Sequence, residues 1–91
     1  MSVLVKIPTQ LRAAAGGESE MEVEGATVQE VLDGLFERCG ELRERISDDD
    51  GSLRRFVNVY VAGEDIRFLD GLATPIADGS EVTILPAVAG G

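Results

Sequence analysis

The chain closes with ILPAVAGG, and no side chain from Val82 onward titrates, so the reactive group there is the carboxylate of Gly91. A carboxylate resists attack until its oxygen is converted into a better leaving group. The tail suits a carboxylate whose carbonyl is delivered in trans to another protein's active site. Glycine at positions 90 and 91 removes every Cβ, so this carbonyl fits a channel too narrow for side chains. Residues 86–91, if extended, reach about 20 Å, enough to cross the mouth of an enzyme cleft while the body stays outside. The competing reading is a slack terminus, where glycine is ordinary.

Other chemistry is scarce. Without histidine there is no Ser/His or Cys/His nucleophilic pair and no imidazole ligand for zinc. Cys39 is the one cysteine, which excludes an internal disulfide and reads as a small core side chain. Asp48, Asp49 and Asp50 beside Gly51 read as a solvated turn rather than an acid/base pair. An enzyme acting alone is not expected.

Ninety-one residues make one domain with a single modest core. The opening MSVLVKIPTQ does not read as a signal peptide, and no apolar run approaches a membrane span, so a soluble cytoplasmic protein is expected. Eight basic against seventeen acidic residues give a net charge of −9, which repels nucleic acid and anionic membranes and favours basic protein partners. The same charge also serves solubility by itself.

Several elements must hold the terminus in place. Val3, Val5 and Ile7 alternate with Leu4 and Lys6, a half-buried strand stopped by Pro8. Met21 and Val23 alternate with three glutamates in a second strand, joined to the first through Gly16-Gly17 as a long-looped hairpin. Thr27 and Glu30 form a capping box, followed by Val28, Val31, Leu32, Leu35 and Phe36 at helical spacing. Gly40 is the candidate C-cap. Gly34, inside the helix, points to close packing or to only modest helix strength. A short helical turn is expected near residues 42–46. Val57, Val59 and Val61 define a third strand, residues 66–68 a short return strand after a turn at Gly63, and residues 82–85 the last strand, ending at Pro86. Arg54 and Arg55 read as a solvated pair. The expected class is α+β, a mixed sheet packed on one main helix.

This order, the capped helix and the diglycine directly after the last strand resemble the β-grasp, ubiquitin-like sulfur carriers of the ThiS/MoaD superfamily. Within it, KIPTQLR, RRFVNVYVAGEDIRF and GLATPIADGSEVTILPAVAGG resemble the carriers that feed a cysteine synthase in actinobacteria, a likeness covering nearly the whole chain. The molybdopterin branch has two prolines where this chain has Pro86-Ala87.

The resemblance implies a β-grasp domain at 1–86, a tail at 87–91, and a protein that is monomeric alone. It implies that an E1-like adenylyltransferase/sulfurtransferase, using ATP and Mg²⁺, adenylates Gly91, and that a thiocarboxylate replaces the acyl adenylate. A pyridoxal-phosphate-dependent cysteine synthase, or another sulfur-accepting enzyme such as one making thiosugars, then takes the sulfur, and a metalloprotease regenerates the carrier. The chain itself binds no cofactor or metal in this scheme and is no enzyme. Ala87, Val88, Ala89 and Gly90 would thread the partner's channel. Asn58, Tyr60 and Leu85, with Leu4 as an alternative neighbour, form a candidate docking patch. Two rival roles use the same tail: a ubiquitin-like modifier joined through Gly91 to lysines, and the small subunit of a molybdopterin synthase.

Overall fold

The computed structural model describes residues 2–48, 53–54 and 57–86. Strand β1 (Ser2–Lys6) buries Val3 and Val5 on one face, as its period-two pattern requires. It pairs antiparallel with β2 (Glu20–Glu24), placing Val3 opposite Val23. The connection is more ordered than a plain loop. It holds two 3₁₀ turns, Thr9–Leu11 and Ala13–Ala15, that bury Leu11, Ala14 and Ala15, and it closes on Gly16 and Gly17 at φ of 71° and 89°.

Helix α1 (Val28–Arg38) starts at its capping box. The Glu30 amide donates to Thr27 Oγ1 at 3.2 Å, and Glu30 Oε1 accepts from the Ala26 amide at 3.0 Å, one residue earlier than the usual reciprocal partner. Val28, Val31, Leu32 and Leu35 are buried in one core with Val3, Val5, Val23, Val59, Val82 and Ile84, and Phe36 and Cys39 pack at its margin. The expected closeness at Gly34 is real. A Cβ there would lie 2.8 Å from Val23 Cγ1, so the glycine lets α1 approach β2. Arg38, in the last turn, donates to the Glu22 carbonyl at 2.7 Å.

Gly40 is not the C-cap. Cys39 takes that position, and Gly40 opens a second helix, α2 (Gly40–Ile46), a full seven-residue element rather than an isolated turn. Leu42 and Ile46, one turn apart, are fully buried and fix it against the core. Arg54 is likewise more than a solvated cation. Its Nε donates to the Glu44 carbonyl at 2.9 Å and its guanidinium pairs with Asp48 at 3.4 Å, tying the chain back onto the end of α2. Arg55, Asp49, Asp50 and Gly51 lie outside the described residues.

Strand β3 (Val57–Val61) buries its three valines and turns at Ala62-Gly63 into β4 (Glu64–Asp65). The return strand expected at 66–68 is instead a 3₁₀ turn, Ile66–Phe68, because Asp65 Oδ1 accepts from the Arg67 amide at 2.9 Å and caps it. A further turn, Gly71–Ala73, leads to β5 (Glu81–Pro86). The sheet order is β2-β1-β5-β3-β4, with β1 and β5 parallel and the other pairs antiparallel. Such a mixed sheet over one main helix is the β-grasp arrangement.

Gly25 and the capping box set the entry to α1. A Cβ on Gly25 would stand 2.8 Å from the Val31 backbone nitrogen, which cannot yield as a side-chain tip would. Gly25→Ala should lower the unfolding free energy by about 2 kcal/mol, and Thr27→Ala by about 1 kcal/mol, in urea titrations. An unchanged midpoint for both would contradict this account of the helix start.

Candidate functional site

The site expected from the sequence is a terminus, so what matters first is the strand that presents it. Strand β5 lies in the middle of the sheet, with β1 on one side (Lys6 opposite Thr83) and β3 on the other (Asn58 opposite Leu85, Val57 opposite Pro86). At its start, Ser80 and Glu81 accept from the amides of Leu4 and Ala62, both at 3.0 Å. The Gly79 amide donates to the Ser2 carbonyl at 2.8 Å, and Asp78 Oδ1 accepts from the Ser2 amide at 2.7 Å. Beneath it, Val82 and Ile84 are buried. The backbone leading to Pro86 is therefore held from both sides and from below.

Alternation puts Leu4, Lys6, Asn58, Tyr60, Thr83 and Leu85 on the face away from α1. Leu85 is 45% exposed and stands beside half-buried Asn58. Tyr60, also half-buried, lies between Thr83 and Asp65. The structure thus brings the three predicted docking residues together in two adjacent rows. Leu4 does not join them: its neighbours are Glu22 and Glu81.

Two features of this face are invisible in the sequence. Arg67 folds back to donate to Asn58 Oδ1 and pairs with Asp65 at 3.2 Å, fixing the Asn58 amide beside Leu85. On the other flank, a groove of about 280 Å³ is lined by Lys6, Pro8, Arg12, Glu20, Thr83 and Leu85. Arg12 is oriented by donating Nε to the Ile7 carbonyl at 3.1 Å, and Lys6 pairs with Glu81 at 3.6 Å. In a chain of net charge −9, cationic side chains accordingly flank the last strand. Only the register of KIPTQLR against β5 could have shown this.

Ala87, Val88, Ala89, Gly90 and Gly91 lie outside the described residues. Among the described residues no group of three or more His, Cys, Asp or Glu side chains could hold a metal ion. No helix among them is long and apolar enough to cross a membrane.

A β-grasp sheet that delivers its central strand to the chain end defines the ubiquitin-like class of small proteins. Within that class the chain belongs to the ThiS family, whose model matches residues 5–91. It is 50% identical over 93 residues to the sulfur carrier protein CysO of Mycobacterium tuberculosis, with all of both chains covered. Among solved structures it is similar to a chain of the BexX/CysO complex of Amycolatopsis orientalis, with a TM-score of 0.90 and 48% identity over 98% of this chain and 99% of that one. SAMP1 of Haloferax volcanii matches with a TM-score of 0.87 and 32% identity over the whole of both chains.

Adjacent residues of β5 have opposite duties. Leu85→Ser should leave the melting temperature within a few degrees of wild type, whereas Ile84→Ala should cost about 2–5 kcal/mol. Thermal melts of the two variants check this, and equal losses would mean that Leu85 belongs to the core.

Proposed function

We propose that this chain is a sulfur carrier whose working group is the carboxylate of Gly91. The observation that carries the proposal is identity of 50% with the carrier CysO over all of both chains, and the firm hold on β5 from both sides supports it. An E1-like adenylyltransferase transfers AMP from Mg²⁺-bound ATP to the carboxylate and releases pyrophosphate. Sulfide then attacks the carbonyl carbon and expels AMP, leaving a thiocarboxylate. If the donor is an enzyme persulfide, the first product is an acyl disulfide, and a second thiol of that enzyme releases the thiocarboxylate by forming a disulfide with the first. Thioacids are much stronger acids than thiols, so the sulfur is anionic at neutral pH and needs no histidine to activate it.

The recipient is a pyridoxal-phosphate-dependent cysteine synthase, in keeping with the CysO likeness. A metalloprotease then cleaves the product from the carrier and restores Gly91. Catalysis and cofactors belong to these partners, and this chain supplies the nucleophile and its positioning. Ala87, Val88, Ala89 and Gly90 thread the partner's channel behind Gly91, and Leu85, Asn58 and Tyr60 meet the enzyme at its mouth. The complex of a CysO with BexX supports binding to a protein partner.

The similarity to SAMP1, a small archaeal modifier protein, favours a second reading. The same activated carbonyl accepts a lysine amine, and the product is an isopeptide. The two readings differ by mass: an oxygen-to-sulfur exchange at the terminus, or covalent adducts with other chains.

Removing Gly91, or extending the chain beyond it, should abolish the oxygen-to-sulfur mass change in the presence of ATP, a sulfur source and the adenylyltransferase. The melting temperature should stay as in wild type. Gly90→Ala should slow the exchange by tenfold or more (about 1.4 kcal/mol or more in the barrier). Loading of the Gly91-deleted chain at the wild-type rate would refute the proposal.

A further inference from the structure

Phe68 is 87% exposed and Leu69 is 40% exposed; with Leu85 they are the exposed large hydrophobic side chains among the described residues. The two border a surface hollow of about 550 Å³ that also takes in Val61, Glu64, Asp70 and Pro75. It does not belong to the site at Leu85. Val61 pairs with Val82 at the start of β5, whereas Val57 pairs with Pro86 at its end. The two places are therefore separated along the sheet by about 13 Å, four residues at about 3.3 Å each.

The segment that displays Phe68 is locked on both sides. Asp65 caps the turn through the Arg67 amide at 2.9 Å, and the Leu69 amide donates to the Ile66 carbonyl at 3.0 Å. The Asp70 amide donates to Thr74 Oγ1 at 3.1 Å, and that hydroxyl, on a buried residue, donates to the Gly71 carbonyl at 2.7 Å. Ile66, two residues before Phe68, is buried and anchors the turn. A backbone held by this many bonds has little further ordering to do when a partner covers the ring it displays. Glu64 and Asp70 are exposed at the hollow and take part in no ion pair among the described residues. The complementary surface is an apolar side chain flanked by arginine or lysine, and an arginine over the Phe68 ring would gain cation–π attraction as well.

We infer that the Phe68/Leu69 hollow is a second docking surface, gripped by a basic, apolar-centred patch on the activating adenylyltransferase. The inference rests on the sulfur-carrier reading. An enzyme that acts on a tail without functional side chains must select its substrate by the folded body. A grip at the far end of the sheet does this while leaving Leu85 and the tail free to enter the active site.

The test uses the full-length chain and the adenylyltransferase, with binding measured by calorimetry and loading by intact mass. Phe68→Ser should weaken binding by about tenfold or more, as expected for an aromatic anchor. The pair Glu64→Lys and Asp70→Lys should do the same. It also should remove much of the loss of wild-type affinity that added salt causes. Both proteins should melt as wild type does, and the charge pair decides the matter if Phe68→Ser does not fold. Wild-type affinity within about twofold for both variants, beside normal loading of the wild type, overturns the second surface alone. Phe68-dependent binding without any loading upholds the surface and refutes the carrier reading. A wild-type chain that neither binds nor loads overturns both.

Discussion

Parallel pairing of β1 with β5 is the contact on which the rest depends. Two parallel neighbours cannot be joined by a tight turn, and here residues 7–80 run between them. The hairpin, both helices and the β3–β4 ribbon all lie in that interval. In return, the last strand gains hydrogen-bonding neighbours on both edges and buries its own Val82 and Ile84 in the core. A C-terminal strand at a sheet edge could fray into the tail. One in the centre opens only when its neighbours do.

That arrangement separates two requirements that most proteins combine. For the proposed sulfur carrier, the body needs rigidity and a recognisable surface, while the terminus needs thinness and an accessible carbonyl. Side-chain chemistry is correspondingly sparse, with no histidine and one cysteine at the core margin. Acidic residues dominate the chain and line the exposed side of β2, yet Lys6 and Arg12 border β5 and Arg67 is fastened to Asn58 close by. Each of these cations has an acidic neighbour, Glu81 for Lys6, Glu20 in the groove with Arg12 and Asp65 for Arg67, so both signs meet on the open face of the sheet.

Elements with strong periodicity were legible in the sequence. The alternation in VLVKI and VNVYV, and the capping box before VQEVLDGLF, each admit one regular structure, and those segments form it. Glycine near a helix boundary is less decisive. Gly40 suits an ending or a beginning, and the burial of Leu42 and Ile46 decided for a beginning. The segment Ile66–Phe68 has the alternation of a strand, but a local bond to the Asp65 carboxylate outweighs it and turns Phe68 out. Cross-strand neighbours were not legible, because register depends on turn lengths. The choice of Leu85 over Leu4 as the neighbour of Asn58, and the Arg67 bond to Asn58, could be found only in three dimensions. The diglycine, by contrast, is a reading from sequence and resemblance.

Strand β5 is a fixed mount whose stability does not depend on what is attached to the chain end. Native-state amide exchange of residues 82–85, before and after conversion of Gly91 to the thiocarboxylate, measures this directly. The account predicts that these amides exchange only through global unfolding, at the same rate in both forms. Exchange of β5 through local opening, or a change in its protection on conversion, would contradict it.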